Sequence, residues 1–239
     1  MRRWAIVITG LAGILAMQAC VLGFEQVRGS GNVTSRDISQ EGFTRLHLGS
    51  GCRAQVTYGS NYSVVVRIDD NLADAVDVER KGAELSISLK PMRSYRGVTF
   101  EADITMPDID GLHLSGGTKC VLTGFDLGHD VNFGLSGGSE LDGSVTATDV
   151  DFSLSGGSVV ELMGQGSSVR LGGSGGSRFD LGDFNAGDVV VDFSGGTNGS
   201  IRTNGELSGS LSGGSYLYYI GEPRLGHISK SGGSDVRAK

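Results

Sequence analysis

Ser153-Leu154-Ser155-Gly156-Gly157-Ser158-Val159-Val160-Glu161-Leu162 repeats, 19 residues on, the pattern of Gly134-Leu135-Ser136-Gly137-Gly138-Ser139-Glu140-Leu141-Asp142-Gly143. The tetrapeptide Ser-Gly-Gly-Ser/Thr begins at Ser115, Ser136, Ser155, Ser174, Ser194, Ser212 and Ser231, with spacings of 21, 19, 19, 20, 18 and 19 residues. Tandem units of near-constant length signal a repeat architecture. Counting the first Ser as zero, the residues five, three and one before it are largely apolar, as in Val131, Phe133 and Leu135, then Val150, Phe152 and Leu154, then Val189, Val191 and Phe193. That alternation predicts a strand with one buried face. Apolar residues return at plus five and plus seven as Val160 and Leu162, Phe179 and Leu181, Leu217 and Tyr219, which predicts a second strand after the corner.

Two short strands per unit cannot bury their apolar face alone, but stacked coils can, because each strand pairs with its equivalent in the next coil. Residues 111–239 therefore read as a parallel β-solenoid of about seven 19-residue coils in an all-β protein, roughly 34 Å long at ~4.8 Å per coil. The crossover preference favours a right-handed winding. The corners fall on Gly116-Gly117, Gly137-Gly138, Gly156-Gly157, Gly175-Gly176, Gly195-Gly196, Gly213-Gly214 and Gly232-Gly233. A tight corner wants positive φ, which Gly supplies at little cost, and Ser or Thr hydroxyls can bond to neighbouring backbone. A phosphate-cradling loop would instead lead into a helix, and these turns lead into strands. Ca²⁺-binding nonapeptide repeats are also a poor match, since no Asp holds a fixed place.

The chain has 239 residues, of which 41 are Gly and 3 Pro, without the three-residue period of collagen. Apolar residues make up 38% and charged residues 20%, enough apolar surface for an ordered core. A net charge of −7 without a basic cluster argues against nucleic acid as a partner. At the start, Arg2 and Arg3 precede an apolar run from Trp4 to Met17, the layout of a secretory signal over residues 1–20. Met17-Gln18-Ala19-Cys20 resembles a bacterial lipoprotein processing site with Cys20 as the acylated residue; the alternative is ordinary cleavage nearby, such as after Gly23. Both routes export the protein to the periplasm or cell surface, and its contact with a membrane would be through that anchor alone. Cys52 and Cys120 read as buried thiols, with a disulfide between them the alternative in an oxidising compartment.

Residues 29–110 lack the tetrapeptide but carry strand signals at Phe43–Leu48, Arg53–Tyr58, Ser63–Ile68, Ala83–Leu89 and Val98–Met106, with one or two helical turns at Asn71–Val78. Leu46-His47-Leu48-Gly49-Ser50-Gly51-Cys52-Arg53-Ala54-Gln55-Val56 has the apolar spacing of Leu112 to Leu122, so it reads as a degenerate unit continuous with the rod. Gly29-Ser30-Gly31-Asn32-Val33, Gly42-Phe43-Thr44, Asp69-Asp70-Asn71-Leu72 and Gly82-Ala83-Glu84-Leu85, followed by serial Leu-Ser-Gly-Gly units, resemble the putative autotransporter adhesin head, or GIN, domain family. The resemblance spans about residues 29–239 and implies an all-β envelope protein, often lipid-anchored. It supplies no catalytic motif.

Nucleophile and base signatures are missing, so no enzyme and no cofactor is expected. His47, His113, His129 and His227 are scattered, with no His-x-x-x-His or Cys-x-x-Cys spacing, which argues against a transition-metal site. By register, Asp142, Glu161 and Asp180 at plus six point outward in three consecutive coils, with Glu140 and Arg178 on the same face. Stacking sets these carboxylates roughly 5 Å apart, a spacing suited to Ca²⁺ or glycan contact and to a polysaccharide-acting lyase or hydrolase. Charges on an outer face also serve solubility alone. Tyr216 and Tyr218 face out and suit sugar or protein contact, while Tyr219 faces in. The last coil offers strand edges for self-association, blunted by Lys230, Asp235, Arg237 and Lys239. The expected role is that of a non-catalytic adhesin-like module whose rigid face meets an envelope protein or a glycan.

Overall fold

The computed structural model of the chain describes residues 25–91 and 93–239; residues 1–20, expected from sequence to be a secretory signal, and with them Cys20, lie outside the described residues. In chain order the strands are β1 (Glu25–Arg28), β2 (Val33–Asp37), β3 (Arg45–Leu48), β4 (Arg53–Tyr58) and β5 (Ser63–Asp69). After a 3-10 turn at Asp70–Ala75 come β6 (Val76–Lys81), β7 (Glu84–Leu89), β8 (Arg93–Arg96) and β9 (Phe100–Met106). The repeat supplies β10 (Gly111–Leu114), β11 (Lys119–Asp126), β12 (Val131–Leu135), β13 (Glu140–Leu154), β14 (Val159–Gly173), β15 (Arg178–Phe193), β16 (Asn198–Thr203), β17 (Glu206–Leu211), β18 (Tyr216–Ile220), β19 (Arg224–Lys230) and β20 (Asp235–Ala238).

Two parallel ladders run the length of the stack. One takes β7, β3, β10, β12, the second halves of β13, β14 and β15, then β17 and β19. The other takes β9, β4, β11, the first halves of β13, β14 and β15, then β16, β18 and β20. The result is an all-β solenoid of about 6 turns bounded by the Ser-Gly-Gly corners.

Inside, equivalent positions form columns. Leu85, Leu46, Leu112, Phe133, Phe152, Leu171 and Val191 occupy successive rungs of the first ladder, each at most 1% exposed. Each such side chain contributes about 1.5–3 kcal/mol by leaving water. Phe133 stacks on Phe152 with centroids 5.2 Å apart, and Phe179 on Phe193 at 5.0 Å. Where Leu135 and Leu154 precede their corners, the next coil has Gly173, and a Cβ there would stand 2.8 Å from the Phe179 ring. The ring at plus five thus fills the space that the residue before the corner gives up.

The corners explain all four letters of the tetrapeptide. Both glycines have positive φ, as at Gly156 (66°) and Gly157 (78°). The first also packs corner on corner, since a Cβ on Gly156 would lie 3.1 Å from the Gly137 nitrogen. The fourth residue, fully buried at Thr118, Ser139, Ser158, Ser177, Thr197 and Ser215, donates its hydroxyl to the carbonyl of the first Ser at 2.8 Å each time. The bond satisfies the hydroxyl of a side chain that has no access to water and holds the turn closed.

The N-terminal part is woven into the same stack. Leu46 pairs with Leu112, Leu48 with Leu114 and Val56 with Leu122, the alignment expected of a degenerate unit. Its layer is not the first in space, however: β7 and β9, later in the chain, lie beneath β3 and β4, while β10 and β11 lie above. Antiparallel β5 and β2 extend the sheet from β9, and β6 pairs antiparallel with β7. The helical segment ends at Ala75, earlier than the sequence suggests, because Val76 and Val78 enter the pairing with Leu89 and Ile87. The Gly29 to Asn32 block wraps Asp69 to Asn71. Buried Asp69 accepts from the Gly31 and Thr99 amides at 2.7 and 2.8 Å, and a Cβ on Gly29 would collide with that carboxylate.

Candidate functional site

Register alone builds the outer face. On the second ladder, residues facing out at plus six line up as Val121, Asp142, Glu161, Asp180, Ser200, Tyr218 and Arg237 on consecutive rungs. Strand spacing puts neighbours ~4.8 Å apart, so Asp142 to Tyr218 spans ~19 Å. The three carboxylates expected in a ladder are therefore together and exposed. The tyrosine expected elsewhere on the surface belongs to the same row, two rungs beyond Asp180.

A register shift in β15 brings a fourth carboxylate, Asp183, into the shallow depression around Asp142, Glu161 and Asp180, with exposed Met163 at its side. Partial burial first, then the neighbouring Glu140 carboxylate, raises the Asp142 carboxyl above its ordinary value, against a smaller pull from Lys119. Ser200 donates to Asp180 at 3.0 Å. Glu140, expected on this face, is engaged by Lys119 at 2.5 Å, so its charge is matched across turns. In the adjacent plus-four row stand Glu140, Val159, Arg178, Asn198, Tyr216 and Asp235, with Tyr216 half-buried. Tyr219 packs against the core, as its place in the count requires. The charged groups of the last coil are in place: Asp235 accepts from Lys230 at 2.9 Å and from Arg237 at 2.7 Å.

Such a row can do two things. Carboxylates and hydroxyls at regular intervals can meet the hydroxyls of a linear glycan, and an exposed aromatic can stack on a sugar face. Carboxylates this close also suit a hard cation.

Cys52 and Cys120 are free thiols, 0% and 1% exposed. Burial is the main cause that pushes Cys52 up to about 12 and raises Cys120 as well, so neither is a ready nucleophile.

One grouping was not anticipated. Asp108, Asp110 and His129 each place a ligand-type atom within 4.8 Å of the others. The signal was present in the sequence: Asp108 and His129 both stand seven residues before a corner serine, Ser115 and Ser136.

The model of the family described as "Putative auto-transporter adhesin, head GIN domain" matches residues 42–223. No curated protein matches the chain in sequence. A crystal structure described as a putative adhesin from Bacteroides fragilis superposes with a TM-score of 0.83 at 18% identity, covering 89% of this chain and 100% of that one. A structure described as a putative lipid binding protein from Parabacteroides distasonis gives 0.69 at 15% identity, over 90% of this chain and 100% of the other. A putative adhesin from Parabacteroides merdae gives 0.69 at 13% identity, over 90% and 99%. At these identities the likeness concerns the fold.

Proposed function

The chain belongs to the putative auto-transporter adhesin head GIN domain family, and from that premise we propose that it is a non-catalytic cell-envelope module that binds a linear glycan along the row from Asp142 to Tyr218. The observation that carries this reading is that row itself: three carboxylates, a hydroxyl and an exposed aromatic on consecutive rungs of a rigid ladder. A rigid surface loses little entropy on binding, which favours affinity built from many weak polar contacts. Residues 1–20 act as a secretory signal on this reading, with acylation of Cys20 or cleavage near Gly23 deciding between an anchored and a free protein. Mass spectrometry of the mature N-terminus distinguishes them, a diacylglyceryl mass marking the anchor.

A lipid-holding interior, suggested by the description of one structural relative, finds no support in the packing: the inward columns are filled by Leu, Val and Phe. The test is a glycan panel with and without Ca²⁺, comparing the parent protein with Tyr218→Ala and with the combined Asp142→Asn, Glu161→Gln and Asp180→Asn variant. Loss of binding of at least tenfold in both, with no turnover, is the expected result. Binding untouched by either change overturns the reading, and turnover abolished by Glu161→Gln replaces it with a polysaccharide-cleaving one.

A further inference from the structure

We propose that Asp108, Asp110 and His129 form a binding site for a divalent first-row transition metal ion, with Zn²⁺ the redox-inert ion that reports it. The site lies away from the plus-six row and does not depend on the glycan reading. Its construction follows from the fold. In Asp108-Ile109-Asp110 the middle residue is fully buried while Asp108 is half-buried and Asp110 exposed, so both carboxylates stand outside the apolar core. His129 occupies in the next turn the place that Asp108 occupies in its own, so stacking puts the imidazole beside the carboxylate pair. The His129 Nε2 is 2.8 Å from Asp108 Oδ1, and its Nδ1 is 3.8 Å from Asp110 Oδ1.

The ring is already oriented for ligation. Its Nδ1 lies 2.9 Å from the backbone carbonyl of Asp130, to which it donates a proton, and this leaves Nε2 as the nitrogen that faces Asp108. A backbone carbonyl on the far nitrogen is the usual second partner of a metal-bound histidine, fixing tautomer and ring plane. Asp108 is likewise held, its Oδ1 accepting the Ile109 amide at 2.9 Å. One imidazole and two carboxylates suit a borderline-hard ion, and the ordering of divalent affinities places Zn²⁺ above Mn²⁺ at such a site. The Asp108 carboxylate can only accept, so the hydrogen in its bond with Nε2 leaves to solvent when an ion takes that place, one proton released for each ion bound. All three side chains remain about half accessible, which leaves room for water or an outside ligand on the ion.

Among the described residues the arrangement occurs at a single turn. The equivalents of His129 in later coils are Thr148, whose amide donates to the His129 carbonyl, then Ser167 and Gly187. A bound ion would tie the segment between β9 and β10 to the segment between β11 and β12, at the junction where the first repeat turn meets the N-terminal layers.

The experiment is isothermal titration of Zn²⁺ into the full chain, made without a polyhistidine tag, at neutral pH and after treatment with chelator. One equivalent should bind, and His129→Ala, Asp108→Asn and Asp110→Asn should each weaken it at least tenfold, while Asp77→Asn, at an exposed carboxylate on β6, binds as the parent does. Circular dichroism and melting of each variant separate loss of a ligand from loss of fold, and a His129→Ala protein that melts like the metal-free parent completes the case. Absence of saturable binding up to ~100 μM Zn²⁺ overturns the proposal, leaving the cluster an ion pair, and so does one-site binding that all three ligand variants retain.

Discussion

The Ser158 hydroxyl donates to the carbonyl oxygen of Ser155 at 2.8 Å, and that bond, repeated at five further corners, sits where the chain turns from the first ladder to the second. Ser158→Ala removes that bond and the acceptor of the buried Ser139 amide and should cost about 1 kcal/mol, whereas Ser158→Thr should be near neutral, since Thr118 and Thr197 make the same bond. Denaturant unfolding of the three proteins checks the order.

The two glycines of a corner should differ in tolerance. Gly157 needs only positive φ, with nothing near a would-be Cβ, so Gly157→Asn should cost under about 1 kcal/mol. Gly156→Ala adds a clash with the Gly137 nitrogen and should cost about 2 kcal/mol or more. Equal melting temperatures for the two variants would contradict the stacked-corner account.

Asp69→Ala removes a buried carboxylate that holds two backbone amides and should cost about 3 kcal/mol. Faster hydrogen exchange at Gly31 and Thr99 would be its local signature.

The Asp142 carboxyl titrates above its ordinary value because burial and Glu140 disfavour its charge. A carboxylate raised on folding detracts from stability while ionised, and that penalty fades as pH falls through the folded value toward the unfolded one, near ~3.9. Asp142→Asn should therefore melt higher than the parent at neutral pH, with the difference shrinking toward about pH 4. Thermal melts at both pH values read the sign directly.

Cys52 and Cys120 should resist thiol reagents in the folded state even at pH 9, since burial holds Cys52 at about 12 and Cys120 high as well. Mapping of alkylated peptides should find both labelled only after unfolding.

Much of this organisation was legible in the residues. Counting from each corner serine gave the inward columns, the outward ladder at Asp142, Glu161 and Asp180, and the register of Leu46 on Leu112. Those inferences work because the rungs beside each corner obey the same two-residue alternation, the register shifts falling farther along the strands. The same count at plus six in later coils reaches Ser200 and Tyr218, and at minus seven it reaches Asp108 and His129, a relation that runs across turns and not along any one strand. The absence of a His-x-x-x-His spacing is uninformative here, because ligands from different turns are a coil length apart. What no count could supply is the placement of β7 and β9, because residues 63–81 leave the stack to make β5, the 3-10 turn and β6 before the chain returns below β3 and β4.

That detour bears on how the molecule is assembled. A chain emerging from its amino end presents Arg45–Tyr58 before the residues that floor it, so the base cannot close until Met106 is out. Each later coil finds a finished template waiting, and the whole rod inherits its alignment from a foundation laid out of order.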